Sequence, residues 1–345
     1  MVKKIIVTFL IIGFIFISTT AYFVAKRIIM KPSGEFPQEQ VEIKIAGGST
    51  VTQIAKQLYE AGVVTDMDDF LFTVKVMRKG ALLKAGKYTF DYGLSNYDIV
   101  NQLVHGKVVG IRVSIPEGYT SRQIASLLKD KLEVDSTKFM GLVHDTDFIH
   151  KINIDAPSLE GYLYPNTYEF YWGTDAETVI RRLLTEFSHN FNDSLRQRAA
   201  DKGWSIQKVL TLASIIEGEA MIDSERAIIS AVYHNRLKKR MLLQADPTIQ
   251  FIIPDGPRRL LNRDLAIVSP YNTYKYRGLP PGPVNNPGIN SIKAAIDPAD
   301  VPYLYFVAVG DGSHTFSRTL KEHNRAKAKF DQYRREVRRK QHAKK

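Results

Sequence analysis

An uncharged apolar run close to the N-terminus most constrains how this chain can fold. Residues 5–25 include no charged side chain. As a helix this run would extend roughly 30 Å, about the thickness of the hydrocarbon core of a bilayer. Basic residues lie on both sides of it, with Lys26, Arg27 and Lys31 following, so the flanks specify its orientation weakly. The run predicts a transmembrane anchor rather than the buried helix of a soluble domain.

A cleaved signal peptide is the alternative interpretation of the same run. Its apolar core would cover residues 5–17, with Thr19 and Ala21 as the small residues before the cleavage site. The uncleaved anchor is favoured because the apolar run continues to Ala25 and reaches full spanning length. A polar, proline-bearing linker is then expected over residues 26–40.

The net charge is concentrated at the C-terminus. Of the total of +12, residues 321–345 contribute +8, from 11 Lys and Arg side chains against three acids. The other 320 residues are therefore not notably basic, and nucleic acid is not an expected partner. Residues 326–345 are expected to form a basic tail, either a solvated helix or one attracted to anionic lipid.

The residue inventory excludes several classes of site. The 345 residues, typical of two domains, include no cysteine, so disulfide scaffolds, thiol nucleophiles and thiolate metal sites are ruled out. The Gly-rich dinucleotide and phosphate motifs, the HExxH zinc motif and the GxSxG nucleophile motif do not occur. The eight histidines are scattered along the chain. Neither a metal nor a cofactor is expected.

Three segments repeat one pattern. Starting at Gly48, Gly93 and Gly118, each has Gly, a hydroxyl residue, Ile and Leu at offsets 0, 2, 6 and 10. The Gly permits a tight turn, the hydroxyl can cap a helix, and Ile and Leu lie one turn apart on its buried face. The pattern predicts three helices with the same N-terminal turn.

Short segments with period-two alternation flank these helices, at 41–45, 87–90 and 110–115. Residues 41–90 thus read strand, helix, helix, strand. This order and the Gly-x-Thr start resemble a LysM module, a small glycan-binding unit, over residues 41–110. A small α+β domain packed beside the main one explains the pattern equally well.

One helix is unusually apolar. Residues 204–220 read WSIQKVLTLASIIEGEA, with Ser205 as a candidate N-cap, and are apolar almost all round over 209–216. The helix should therefore be buried. Glu217 and Glu219 lie at its C-terminal end, about 200° apart around the axis, so they cannot share one pocket wall.

An apolar helix end disfavours a carboxylate anion, through both burial and the helix dipole. A carboxyl group there is suited to act as a general acid. The alternative is that Glu217 and Glu219 only end the helix, meeting solvent or pairing with Arg226 or Arg236.

Polar and aromatic loops downstream could line a cleft for a sugar. They are residues 244–248, 271–274, 278–283 and 286–288, which follow a helix expected over 225–239 and precede a buried strand expected over 303–309. Aromatic faces with amide and hydroxyl groups are typical of sugar binding, although the proline-rich segments could be scaffolding alone.

Ten motifs carry a family resemblance. They are LEGYLYPNTY at 159–168, LASIIEGE at 212–219, SER at 224–226, NRL at 235–237, LQADPT at 243–248, YNTY at 271–274, GLPPG at 278–282, NPG at 286–288, YLYFV at 303–307 and HTF at 314–316. In this order they resemble the YceG-like endolytic murein transglycosylases, from the anchor to about residue 325. Residues 326–345 are more basic than expected of that family.

The resemblance implies an α+β fold with an N-terminal transmembrane helix, a small LysM-like α+β subdomain over 41–110 and a larger α+β catalytic domain over 111–325. It implies residues 1–4 in the cytoplasm and the catalytic domain outside it, at the inner (plasma) membrane. The expected partners are peptidoglycan glycan strands, the membrane and the peptidoglycan synthases.

The implied reaction cuts the β-1,4 bond between N-acetylmuramic acid and N-acetylglucosamine, leaves a 1,6-anhydro end and terminates strand elongation. Glu217 takes the position of the catalytic glutamate, giving a proton to the glycosidic oxygen and then accepting one from the C6 hydroxyl. One carboxyl serving twice needs no second one. Supporting contacts to sugar are expected from five residues: Gln244, Asp246, Thr248, Asn272 and Tyr274.

Two other functions use the same residues. A muramidase would use Glu217 but let water attack, which leaves reducing ends. A wall-binding scaffold would bind glycan through the repeats without cutting it, with Glu217 as a structural residue.

Overall fold

The structure is a computed structural model that describes residues 2–31, 40–105, 110–254 and 256–342. Most of the linker predicted over 26–40 and the last three residues of the basic tail lie outside these ranges. The chain divides into two compact units. The first comprises Met1–Val113, Lys131–Val134 and Glu169–Asp175, and the second comprises Ser114–Asp130, Asp135–Tyr168 and Ala176–Lys345. The assignment of residues 41–110 as LysM-like stays a prediction.

Helix α1, Val2–Ile29, contains a stretch long and apolar enough to cross a membrane, Ile6–Ile29. It is the one such helix in the part of the chain that the structure describes. The helix extends beyond the predicted end at Ala25, because neither Lys26 nor Arg27 interrupts helical backbone. Large side chains such as Phe14 and Ile17 are exposed along it. This helix suggests a membrane anchor.

The first unit contains β1 (Gln40–Ile45), α2 (Val51–Glu60), α3 (Met67–Val76), β2 (Gly86–Asp91) and α4 (Asn96–His105). The strand, helix, helix, strand order predicted over 41–90 is present. The two strands pair antiparallel, with Gln40 opposite Asp91 and Ile45 opposite Gly86. Their inward side chains pack with α2, α3 and α4 in one apolar core.

All three repeat copies form the predicted turn and helix. Gly48, Gly93 and Gly118 have φ angles of 80°, 77° and 77°, in the left-handed region that favours glycine. The hydroxyl two residues later accepts a hydrogen bond from the backbone N–H three residues further on, at 3.2–3.3 Å in each copy. The Ile and Leu positions are buried in every copy. Local capping chemistry therefore sets these three helix starts.

The remaining elements follow in chain order. They are β3 (Gly110–Ser114), α5 (Ser121–Leu132), α6 (Ser136–His144), α7 (Thr146–Lys151), β4 (Thr167–Tyr171), α8 (Ala176–Asn190), α9 (Asp193–Asp201), α10 (Ile206–Glu219), α11 (Arg226–Lys238), α12 (Asp246–Ile252), α13 (Ile289–Ile296), β5 (Tyr305–Ala308), β6 (His314–Ser317) and α14 (Leu320–His342). Strand β3 pairs with β4, and β5 pairs with β6. Each of these sheets has only two strands, so helices make up most of the α+β fold.

Two predictions about the second unit need correction. Residues 244–248 were expected to be a loop, but α12 begins at Asp246. Pro247 is tolerated because backbone N–H groups in the first turn of a helix have no acceptor within the helix, so a residue that lacks one costs no hydrogen bond there. The strand expected over 303–309 covers only Tyr305–Ala308. The basic tail continues α14, and its binding to anionic surfaces stays a prediction.

Candidate functional site

Helix α10 forms the centre of the second unit. Ser205 caps its N-terminus by accepting a hydrogen bond from the Lys208 N–H, at 3.2 Å. All residues from Val209 to Ile216 are buried, as the sequence predicts, and the helix packs against α9, α11, α12 and α13. A helix surrounded in this way holds the side chains at its C-terminal end in fixed positions.

Glu217 is sheltered and held by two donors. Its side chain is only 6% exposed. Arg226 Nη1 lies 3.0 Å from its Oε1, and the backbone N–H of Gly288 donates to its Oε2, also at 3.0 Å. The carboxyl group is thus fixed from two sides, by the start of α11 and by the turn before α13. The sequence left open whether Glu217 meets solvent or pairs with Arg226 or Arg236. In the structure it pairs with Arg226.

Arg226 connects Glu217 to its surroundings. Its Nε donates to Asp223 at 2.8 Å, and its Nη1 also donates to the hydroxyl of Ser291 on α13. Its Nη2 lies 3.9 Å from Glu117 Oε2. At 12% exposure this guanidinium is a partly buried positive charge among three carboxylates.

The turn of the third repeat copy lies beside Glu217. A Cβ added at Gly118 would lie 3.5 Å from Glu217 Cγ. The Gly118 N–H donates to Asn286 O, and the Asn286 N–H donates to Tyr119 O, both at 2.9 Å. This pairing fixes the turn, and with it Glu117, against the segment that leads to Gly288.

The side chain of Asn286 joins two separate segments of the chain behind the site, one at 160–163 and the other at Tyr119. Its Oδ1 accepts from the N–H groups of Gly161 and Leu163, at 2.8 and 2.9 Å. Its Nδ2 donates to Tyr119 O and to the carboxyl of Glu160, both at 3.0 Å. Burial raises the pKa of Glu160 to about 7, against the hydrogen bonds from Ser121 and Asn286 that lower it. The motif at 159–168 thus supports the site from behind.

Glu219 lies in a different environment. The hydroxyl of Tyr233 donates to its Oε1 at 3.1 Å. Burial, and next the negative charge of Asp246, raises the pKa of Glu219 to about 7. The Tyr274 hydroxyl in turn donates to Asp246. The two glutamates therefore contact separate sets of residues, as expected from their separation around the helix.

The five residues expected to bind sugar fall into two groups. Gln244 and Asp246 are exposed and Tyr274 is half-buried, so these three remain accessible. Thr248 and Asn272 are fully buried. Thr248 Oγ1 donates to Ala245 O at 2.7 Å, and Asn272 Nδ2 donates to Leu265 O and Ile267 O at 3.1 and 2.7 Å. These bonds hold Thr248 and Asn272 to nearby backbone carbonyl groups, and a direct contact of either residue with sugar stays a prediction.

Sequence reasoning missed Glu117, Ser291 and the Gly288 N–H as neighbours of Glu217. One signal was present for Glu117: only the third repeat copy has an acid directly before its glycine. The contacts of Gly288 and Ser291 depend on tertiary packing, which local sequence does not reveal. No group of three or more potential metal ligands occurs among residues 2–31, 40–105, 110–254 and 256–342.

Comparison with known proteins gives consistent matches. The YceG-like family model matches residues 43–329. The chain is 34% identical to an endolytic murein transglycosylase of Bacillus subtilis, over 89% of each chain. It is 30% identical to one of Streptococcus pneumoniae, over 94% of this chain and 64% of the relative. The crystal structure of a YceG-like protein from Listeria monocytogenes matches with a TM-score of 0.59 and 34% identity, over 83% of this chain and 98% of that one.

Proposed function

Because the chain belongs to the YceG-like family, we propose that it is an endolytic murein transglycosylase, a lyase acting on peptidoglycan, with Glu217 as its catalytic acid. The observation that carries the assignment to Glu217 is its placement. It is a carboxyl group 6% exposed at the end of a buried helix, fixed by Arg226 and Gly288.

The hydrogen bonds of Glu217 leave room for a proton. Each carboxyl oxygen has two lone pairs and accepts one bond from the protein, so one oxygen can carry a proton towards the cleft. That proton passes to the glycosidic oxygen between N-acetylmuramic acid and N-acetylglucosamine as the C1–O4 bond breaks. Arg226 lies beside the carboxylate that forms and balances its charge.

The reaction closes when the C6 hydroxyl of the muramoyl residue attacks C1. This forms the 1,6-anhydro ring, and the proton of that hydroxyl returns to the enzyme. The sheltered position of Glu217 favours this internal attack over attack by water, because little solvent reaches the carboxyl group. The exposed side chains of Gln244 and Asp246, with Tyr274, then remain for sugar hydroxyl and acetamido groups.

The experiment analyses the chain ends of peptidoglycan digested by the full chain in detergent, using mass spectrometry. We expect 1,6-anhydro ends and release of internal fragments, and a loss of about 10²–10⁴-fold in rate for Glu217→Gln. Glu177→Gln, which removes an exposed carboxylate paired with Arg181 on α8, is the control. Reducing ends would instead indicate a muramidase, and binding without cleavage a scaffold. Either result overturns the proposal.

The proposal also places α1 in the plasma membrane, with residues 1–4 in the cytoplasm and the second unit outside it. There the enzyme meets nascent strands beside the synthases that extend them, and its cuts end their elongation. The cysteine-free sequence allows a direct test with single-cysteine variants and a membrane-impermeant maleimide. In intact cells we expect Asp201→Cys to be labelled and Lys3→Cys to be protected. The opposite pattern excludes this topology, and labelling of Asp201→Cys in a soluble form lacking residue 3 identifies a cleaved signal peptide.

A further inference from the structure

The site contains a second carboxyl group, that of Glu117, which the reaction as described does not use. Glu117 and Glu217 share one guanidinium: Arg226 Nη1 is 3.0 Å from Glu217 Oε1, and its Nη2 is 3.9 Å from Glu117 Oε2. The two differ in access, since the Glu117 side chain is 48% exposed and the Glu217 side chain 6%. One carboxyl group is therefore fixed and sheltered, and its neighbour is half exposed to solvent.

The absence of a side chain at Gly288 makes room for Glu117. A Cβ built at Gly288 would lie 1.9 Å from Glu117 Oε1, so the Glu117 carboxyl rests directly against this backbone. The N–H of the same Gly288 donates to Glu217 Oε2. The two carboxyl groups thus flank a single glycine. The backbone pairing of Gly118 and Tyr119 with Asn286 holds the Glu117 turn in this place.

The titratable groups around Glu117 come from four segments of the chain. They are Glu217 on α10, Arg226 at the start of α11, Asp223 in the short helix before it, and Tyr164. Burial and then the negative charge of Glu217 raise the pKa of Glu117, while Arg226 lowers it and Asp223 raises it. The affinity of Glu117 for a proton therefore depends on whether Glu217 carries one.

We propose that Glu117 is a second catalytic carboxyl group, which takes the proton of the muramoyl C6 hydroxyl while Glu217 gives its own proton to the leaving oxygen. This inference rests on the proposed function. The O6–H bond breaks towards Glu117, O6 bonds to C1, the C1–O4 bond breaks, and O4 receives the proton of Glu217. Transfer of one proton from Glu117 to Glu217 restores the starting state, and no other reactant is needed.

The charge coupling favours this order of events. When Glu217 loses its proton, its new negative charge makes Glu117 a stronger base at the moment when the C6 hydroxyl must be deprotonated. Glu217, held by Arg226 and Gly288, does not have to swing between two oxygens of the substrate. The exposed position of Glu117 lets solvent exchange its proton between turnovers.

The test compares pH profiles of kcat for the full chain in detergent, with defined glycan strands as substrate. The active state holds one proton on the pair, so the wild type should give a bell-shaped profile. Glu117→Gln should lower kcat about 10²–10⁴-fold with KM nearly unchanged. It should also lose the acidic limb and keep the alkaline one. Glu117→Asp should retain both limbs at a reduced rate.

The matched control is Asp223→Asn, which removes a different carboxylate from the same guanidinium and should keep both limbs. Thermal unfolding checks that each variant is folded. A wild-type kcat and profile in Glu117→Gln overturns the inference, and so does a lower kcat with both limbs kept, since Glu117 would then only position other groups. If either of these results is found for Glu117→Gln while Glu217→Gln is inactive, the proposed function stands and only the inference about Glu117 fails. If Glu217→Gln is active, the proposed function itself fails.

Discussion

The two sides of the C-terminal end of α10 differ in what their carboxyl groups contact. Glu217 faces a guanidinium, a backbone N–H and, through Arg226, two further carboxylates near solvent. Glu219 faces the hydroxyl of Tyr233 and is buried enough that its pKa rises to about 7. The same helix end therefore carries one carboxyl group held by a charged donor and a backbone N–H, and another buried against a tyrosine hydroxyl. Neighbouring acids in sequence are not equivalent candidates for catalysis.

Arg236, on the Glu219 side, should affect stability most. Its Nε and Nη1 donate to the carbonyl groups of Leu304 and Leu243, at 2.7 and 2.6 Å, in a buried position. Arg236→Gln should lower the free energy of unfolding by about 4 kcal/mol, because two buried carbonyls lose charged donors. Urea unfolding measures this. A decrease in the free energy of unfolding below about 1 kcal/mol would show that the hydrogen bonds of Arg236 do not stabilise the fold as described.

The pH dependence of stability should sharpen the difference between the glutamates. The pKa of Glu219 is about 7 in the folded protein, against 4.5 as its ordinary value. The unfolded chain therefore releases this proton first. As the pH rises from about 4.5 to about 7, ionisation of this group lowers the free energy of unfolding by about 3 kcal/mol. Above pH 7 it causes no further decrease.

Glu219→Gln should remove this share of the dependence. Glu160, with its pKa also raised to about 7, supplies a similar share that remains in the variant. Urea unfolding at several pH values from 4 to 8 compares Glu219→Gln with the wild type, and Glu160→Gln serves as the counterpart. An unchanged slope in Glu219→Gln would contradict the buried, protonated state of this side.

Arg226, on the Glu217 side, should affect activity more than stability. Arg226→Gln removes the preorganised charge beside Glu217 and Glu117 and should lower kcat about 10²-fold, equivalent to about 2.7 kcal/mol. Initial rates of glycan cleavage measure the effect, and Arg181→Gln, a surface arginine on α8, is the control. If Arg226→Gln cleaved glycan at the wild-type rate, the Glu217 side would not differ from the Glu219 side in its importance for activity.

The smallest effect concerns the glycines of the repeat. Gly48→Ala and Gly118→Ala each place a Cβ at a φ near +80°, which costs about 1–2 kcal/mol. At Gly48 the Cβ meets nothing within 4 Å, whereas at Gly118 it lies 3.5 Å from Glu217 Cγ. Thermal unfolding should show similar losses, and only Gly118→Ala should also slow cleavage. Equal rates in both variants would mean that the turn is not part of the site.

The structure agrees best with the sequence where structure is set locally. The three repeat turns need only a glycine, a hydroxyl and their helix, so Gly48, Gly93 and Gly118 are readable from spacing alone. The burial of α10 follows from its apolar composition in the same way. Helix α12 was missed because the polar residues at 244–248 indicated a loop, although a proline such as Pro247 is well suited to the first turn of a helix.

The surroundings of Glu217 depend on contacts between distant segments. Polar residues at 244–274 indicate a sugar cleft by type, but type does not separate exposed Asp246 from Asn272, which is buried and bonded to backbone carbonyls. Glu117 reaches the site only because Asn286 pairs with the turn beside it. Such pairings follow from tertiary packing, which no local pattern encodes.

The amide of Asn286 also makes the surroundings of Glu217 depend on distant parts of the chain. It bonds to Tyr119, which is 167 positions earlier in the chain, and the Gly288 N–H that holds Glu217 follows that residue by 71 positions. A ribosome therefore finishes α10 well before it supplies the segment that holds Glu217 in place. Contacts of such long sequence separation form late in folding. A chain in which the segment at 286–288 is not yet in place therefore has Glu217 without the backbone N–H that helps to fix it.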